Sequence, residues 1–209
     1  MNASVVVRPH DLLWGLPVPD DAPLWVAKAL RLGQPVVVRR AMTAADQVAV
    51  GVRGPLREHR YATLMWLSDI QRCVQPEQLI DLPPGADWPA LRVLRQVRPF
   101  MEDLGLVWGV SGSAGFELAS GFAALHQGSD LDLILRTPSS FSRRQAFRLA
   151  ASLSVLTELS GCRIDVQLQT PQGGVGLGEW AGSSRRVLLK TAEGARLIAD
   201  PWSLTEQAA

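Results

Sequence analysis

Asp130 and Asp132 stand two residues apart in Gly128-Ser129-Asp130-Leu131-Asp132-Leu133-Ile134-Leu135, at the head of an apolar run that reads as a strand. Side chains alternate faces along a strand, so both carboxylates point the same way. Parallel carboxylates beside apolar neighbours are costly unless a cation lies between them, and hard oxygen ligands select magnesium or manganese. Asp165, in Cys162-Arg163-Ile164-Asp165-Val166-Gln167-Leu168, interrupts a second strand-like run. Three acids on adjacent strands can hold two metals about 3.5–4 Å apart, the spacing that clamps the attacking and leaving oxygens of an in-line displacement. Ahead of them comes Val110-Ser111-Gly112-Ser113, between a strand expected near 106–110 and a helix expected from about Gly115. Its free backbone N–H groups and hydroxyl suit a polyphosphate. Metal-dependent phosphate chemistry is therefore the expectation.

These residues need a sheet to carry them. Apolar residues recur at Leu91, Leu94, Val97, Met101 and Leu104, which predicts an amphipathic helix over 88–104. A second is predicted over 142–160, with Ala146, Leu149, Leu153, Leu156 and Leu159 inward and Gly161 as its stop. Strands near 106–110, 131–136, 163–169 and 186–191 complete a mixed α/β palm rather than a barrel. The glycine-dense segment 173–178 lacks the context of a dinucleotide fingerprint and reads as a loop. Trp180 and Trp202 read as core anchors.

Nearer the amino terminus, Pro23 and Gly33 bracket a short helix, and 35–40 and 47–53 read as paired strands. The run Leu82-Pro83-Pro84-Gly85-Ala86-Asp87 ends regular structure and offers Asp87 as the next helix cap. The expected fold class is α+β, with a small α+β domain over 1–85 and a catalytic domain over 86–209.

Composition narrows the function. With 209 residues and 47% hydrophobic content the chain can bury a substantial core. A net charge of +1 argues against a general nucleic-acid binder. No apolar run approaches the ~20 residues of a membrane span and no leader is evident, so a cytoplasmic protein is expected. Cys73, Cys162 and the scattered His10, His59 and His126 form no metal-ligand spacing. Nineteen arginines stand against only Lys28 and Lys190, which suits a substrate rich in phosphate or reflects the base composition of a genome.

The order of strand, Gly-Ser, Asp-x-Asp strand, helix and Asp strand resembles the nucleotidyltransferase superfamily of DNA polymerase β type, over roughly 88–202. Sixteen residues separate Ser113 from Asp130, more than most of that superfamily has, so 114–129 must hold an elongated helix or an insertion. The whole chain resembles one narrower family, phosphoribosyl-dephospho-CoA transferase, the holo-acyl-carrier-protein synthase of malonate decarboxylase. Arg8-Pro9-His10-Asp11-Leu12-Leu13-Trp14, Val50-Gly51-Val52-Arg53-Gly54 with Arg57 and Arg60, Glu179-Trp180-Ala181, Val187-Leu188-Leu189-Lys190-Thr191 and Asp200-Pro201-Trp202 carry the likeness with the acids.

The resemblance implies transfer of a phosphoribosyl-dephospho-CoA group from 2′-(5″-triphosphoribosyl)-3′-dephospho-CoA to a serine of the apo acyl carrier protein subunit, with pyrophosphate released. Asp130, Asp132 and Asp165 would then be catalytic and metal-binding, and Gly112, Ser113 and Ser129 substrate-binding. It also places Arg53, Arg57 and Arg60 on precursor phosphates, where the residues alone show only a basic loop and a solvated basic face is the other reading. Lys190 could reach the triphosphate or serve as an edge-strand lysine that discourages aggregation. Two other functions stay open: a nucleotidyltransferase that moves a nucleoside monophosphate, and a non-catalytic adaptor for the carrier protein.

Overall fold

The computed structural model describes residues 6–56 and 59–203 and builds them around two sheets. The first has five antiparallel strands in the order β4-β3-β2-β1-β5. They are β1 (Leu12–Trp14), β2 (Val36–Val38), β3 (Gln47–Arg53), β4 (Arg60–Trp66) and β5 (Arg72–Val74). Alternation along these strands buries Leu13, Val36, Val38, Val50, Val52 and Met65 together with Val26 and Ala29 of helix α1 (Leu24–Arg31). The opposite face carries Leu12, Val37, Gly51, Ala62 and the arginines. Arg57 lies outside the described residues. Arg53 ends β3, in line with the strand expected over 47–53, but Arg60 does not sit on a loop as the basic run suggested: it begins β4 as the direct cross-strand partner of Arg53.

The second sheet runs β11-β10-β9-β8-β7-β6. Its strands are β6 (Trp108–Val110), β7 (Leu131–Arg136), β8 (Ile164–Thr170), β9 (Gly173–Gly176), β10 (Val187–Lys190) and β11 (Ala195–Ile198). Only β7 and β8 run parallel, because helix α4 (Arg143–Ser160) supplies the long crossover that parallel neighbours need. Ser142 caps α4 by accepting from the Gln145 backbone, and Gly161 ends it in the left-handed region. Ala146, Leu149 and Leu153 point inward, but Leu159 is 79% exposed. It lies six positions past Leu153 and thus about 120° around the helix from it.

Helix α2 (Pro89–Glu102) packs beside α4 on the apolar face of this sheet. Its first turn is closed by Trp88 with no side-chain cap, and Asp87 instead holds Arg92 at 3.0 Å. On β7 and β8 the residues Leu131, Leu133, Leu135, Val166 and Leu168 face these helices and are almost wholly buried. Truncating one of them to alanine would cost about 2–5 kcal/mol. The reverse face carries the polar positions.

Two local expectations change. Helix α3 spans Gly112–Ser120, starting three residues earlier than Gly115 because Gly112 adopts φ 61 and turns the chain directly out of β6. The rest of the long interval is an irregular insertion over 121–130, not a helical extension. The segment 173–178 is not a loop either: β9 pairs with β8, and α5 (Leu177–Ala181) follows it. Trp180 is buried, donates to the Phe141 carbonyl and packs at 5.2 Å from Trp202. Among the described residues, no helix is long and apolar enough to cross a membrane.

Candidate active site

The parallel register of β7 and β8 sets Asp132 directly beside Asp165, then Ile134 beside Gln167 and Arg136 beside Gln169. Asp130 sits two residues before Asp132, just ahead of the strand. All three acids line one cleft of ≈640 Å³, together with Ser113, Ser129, Arg53, Arg60 and Arg163. Adjacent strands fix the spacing of the acids, and the buried opposite face prevents a slip in register.

Asp132 is half-buried. Its pKa is raised to about 6, first by burial and then by the charges of Asp165 and Asp130. This electrostatic strain is what a divalent cation relieves, so the donor set fits magnesium or manganese in kind. The side chains are not gathered into a cage: among the described residues, no three His, Cys, Asp or Glu groups stand at metal-holding spacing. Asp165, 44% exposed, faces Arg163 at 2.9 Å, and a cation on the acids has to draw it from that guanidinium.

Gly112 and Ser113 form the first turn of α3 immediately above Asp132. Ser113 Oγ accepts from Arg53 Nη2 at 2.8 Å, and the same guanidinium donates to the Ala124 carbonyl at 3.3 Å and stands over the Phe116 ring at 5.7 Å. Arg53 therefore joins the five-stranded sheet to α3 and to the insertion. Burial and the nearby Arg60 push its pKa down. Ser129 is buried; its hydroxyl accepts from the His126 backbone and closes the turn that leads into Asp130.

Lys190 is not brought into the cleft. It pairs with Gly174, which pairs with Gln169, which pairs with Arg136, so it shares the polar face but sits two side-chain rows, ~13 Å, along the strands from the acids. Between them lies a sheet-to-sheet contact in which His10 Nε2 meets Gln167 Oε1 at 2.7 Å and Arg40 bonds Gln169. Burial lowers the pKa of His10 and so favours the neutral ring. Its φ of 79 is unusual for a residue with a β-carbon and holds the ring at the junction of the two sheets.

Glu117 and Arg163 escaped the reading of motifs. Glu117 Oε2 accepts from the Ala124 and Leu125 backbones at 2.7 and 2.8 Å, and its Oε1 accepts from Trp88 Nε1 at 3.0 Å. It pins the insertion against α3. A lone acid in a helix gives no hint of that task, whereas the signal for Arg163 is strand alternation, which sets it two residues before Asp165 on the same face.

Residues 8–76 match the phosphoribosyl-dephospho-CoA transferase MdcG N-terminal domain and 78–201 match the corresponding C-terminal domain. A phosphoribosyl-dephospho-CoA transferase of Pseudomonas syringae pv. tomato is 62% identical, the match covering 99% of this chain and 98% of the relative. One from Pseudomonas fluorescens is 57% identical over 96% of both, and one from Azotobacter vinelandii 48% identical over 96% and 97%. No solved structure matches the chain.

Proposed function

The chain belongs to the phosphoribosyl-dephospho-CoA transferase family, and from that premise we propose the reaction it carries out. The donor is 2′-(5″-triphosphoribosyl)-3′-dephospho-CoA and the acceptor a serine hydroxyl of the apo acyl carrier protein subunit of malonate decarboxylase. The serine oxygen bonds to the α-phosphorus, the bond from that phosphorus to the β-bridging oxygen breaks, and pyrophosphate leaves. The observation that carries this reading is the side-by-side setting of Asp132 and Asp165 under the Gly112-Ser113 turn.

Asp130, Asp132 and Asp165 would hold magnesium or manganese, which when bound neutralises charge on the transferring phosphoryl group and on pyrophosphate. Asp165, the cross-strand neighbour of Asp132, takes the proton of the serine hydroxyl. Gly112 and Ser113 hold the β- and γ-phosphates with the backbone N–H groups of the α3 first turn and the Ser113 hydroxyl. Arg53 and Arg60 add charge-assisted hydrogen bonds to the same group. Proximity does the rest, because seating the carrier serine in line makes the attack effectively unimolecular.

The test is direct. The protein is incubated with donor, magnesium and the apo carrier, and the carrier is weighed by mass spectrometry. A mass gain of one phosphoribosyl-dephospho-CoA on a single serine, with pyrophosphate released, is expected. Consumption of ATP or another nucleoside triphosphate in its place would assign the site to ordinary nucleotidyl transfer.

A further inference from the structure

On the far side of Gly112 from the acids, a second cavity of ≈530 Å³ lies between the five-stranded sheet and α3. Its floor follows from register: Leu12 pairs with Val37, Val37 with Gly51 and Gly51 with Ala62, so one row of small or apolar positions crosses four strands. Gly51 keeps that floor low, since the Arg39 stem already lies 3.1 Å from where a β-carbon would stand. The strand spacing makes the Val37-Gly51-Ala62 part ~10 Å wide, enough for a purine and its ribose. Val110 and Phe116 supply the opposite wall.

Cations flank the row on both sides. Arg39 lies on one side, where β2 leaves the cavity, and the cross-strand pair Arg53 and Arg60 on the other. Among the described residues, no carboxylate lines the cavity. The arrangement selects a flat, partly apolar ligand with anionic groups diverging from its middle. Only the Arg53–Arg60 end continues into the cleft of the acids, because both arginines line it too.

We propose that this cavity seats the adenosine 5′-diphosphate portion of the donor, an inference that rests on the donor assigned above. The purine lies over Val37, Gly51 and Ala62, and the 5′-diphosphate reaches Arg39. The ribosyl triphosphate on the 2′-oxygen diverges the other way, past Arg53, to Ser113 and Asp132. The five-stranded sheet is thus the donor's platform, and Gly112 divides the part of the donor that is held from the part that reacts.

Calorimetry on the full chain without metal tests this, with 3′-dephospho-CoA as the probe and Arg39→Ala and Ala62→Phe as variants. Each variant should bind the probe about tenfold or more weakly, through a lost charge-assisted contact or a filled floor. Inorganic tripolyphosphate, which addresses the Ser113 end alone, should bind both variants as it binds the parent. ADP should displace the probe and 4′-phosphopantetheine should not. Unchanged probe affinity in both variants, or displacement by 4′-phosphopantetheine but not by ADP, overturns the assignment. Variant-sensitive binding in a protein that modifies no carrier overturns the proposed reaction and leaves the cavity assignment standing. Carrier modification at parental KM in both variants does the reverse.

Discussion

Gly112 and the Asp132 carboxylate touch with no room for a β-carbon, which would lie 1.9 Å from Asp132 Oδ2. The turn that presents Ser113 and the acid below it are thereby one unit. Gly112 also holds φ 61, a region that costs a residue with a β-carbon about 1–2 kcal/mol.

Gly112→Ala should therefore fold with a lowered Tm and lose far more activity than stability. The backbone strain is modest, but the methyl group has to displace the Asp132 carboxylate from its place. Thermal melting and initial rates on the same sample separate the two effects. A variant that kept parental kcat would show that the contact does not position Asp132.

Asp132→Asn should stabilise the metal-free protein at pH 7 while turnover falls by several orders of magnitude. The raised pKa of Asp132 means the folded chain binds a proton that the unfolded chain has released. That stabilisation is complete below the ordinary value of 3.8 and is lost as pH rises through about 6. The parent should therefore gain stability when acidified from pH 7 towards 5, and Asp132→Asn should gain less. Some gain should persist, because burial also raises the pKa of Asp11 to about 6. Relief of repulsion should appear as roughly 2–4 °C in Tm for each kcal/mol. An identical pH slope in parent and variant would refute the cause assigned to the shift.

The acids were legible in the sequence because strand alternation alone sets Asp130 and Asp132 on one face, and Asp165 breaks an otherwise apolar run. Their pairing was not, since register depends on the α4 crossover. The cavity was hidden for the same reason: Val37, Gly51 and Ala62 are far apart in sequence and meet only through the ladder of β2, β3 and β4. Arg60 read as loop because β4 alternates weakly, with Leu64 and Trp66 about half exposed. Gly173 to Gly176 read as loop because glycine carries no side chain to display a period, although the backbone pairs with β8.

Asp165→Asn should separate catalysis from binding. Asp165 is assigned to the proton of the acceptor and Asp132 to the triphosphate side, so the Asp165 variant should bind donor nearly as the parent does and turn it over slowly. Loss of the carboxylate also frees Arg163, an exposed pair worth little to stability. Equal loss of donor affinity in the Asp165 and Asp132 variants would show that the roles are not divided in this way.

Arg53→Ala should raise the KM for donor by about tenfold to a hundredfold, the effect of one or two lost charge-assisted contacts. The size of the effect comes from geometry. Arg53 uses one planar group to reach Ser113 Oγ, the Ala124 carbonyl and the face of Phe116, so its loss loosens the insertion that leads to Asp130 and, on the proposed role, removes a phosphate contact as well. Arg53→Lys keeps the charge but loses the planar group that lies over Phe116 and whose other N–H groups, beyond the Nη2 that serves Ser113 and Ala124, are left for phosphate, so it should recover only part of the affinity. Added salt should shrink the difference between parent and Arg53→Ala, because screening weakens the ionic share of the contact. Full rescue by lysine would reduce Arg53 to a source of charge, and a parental KM in Arg53→Ala would return it to a solvated basic face.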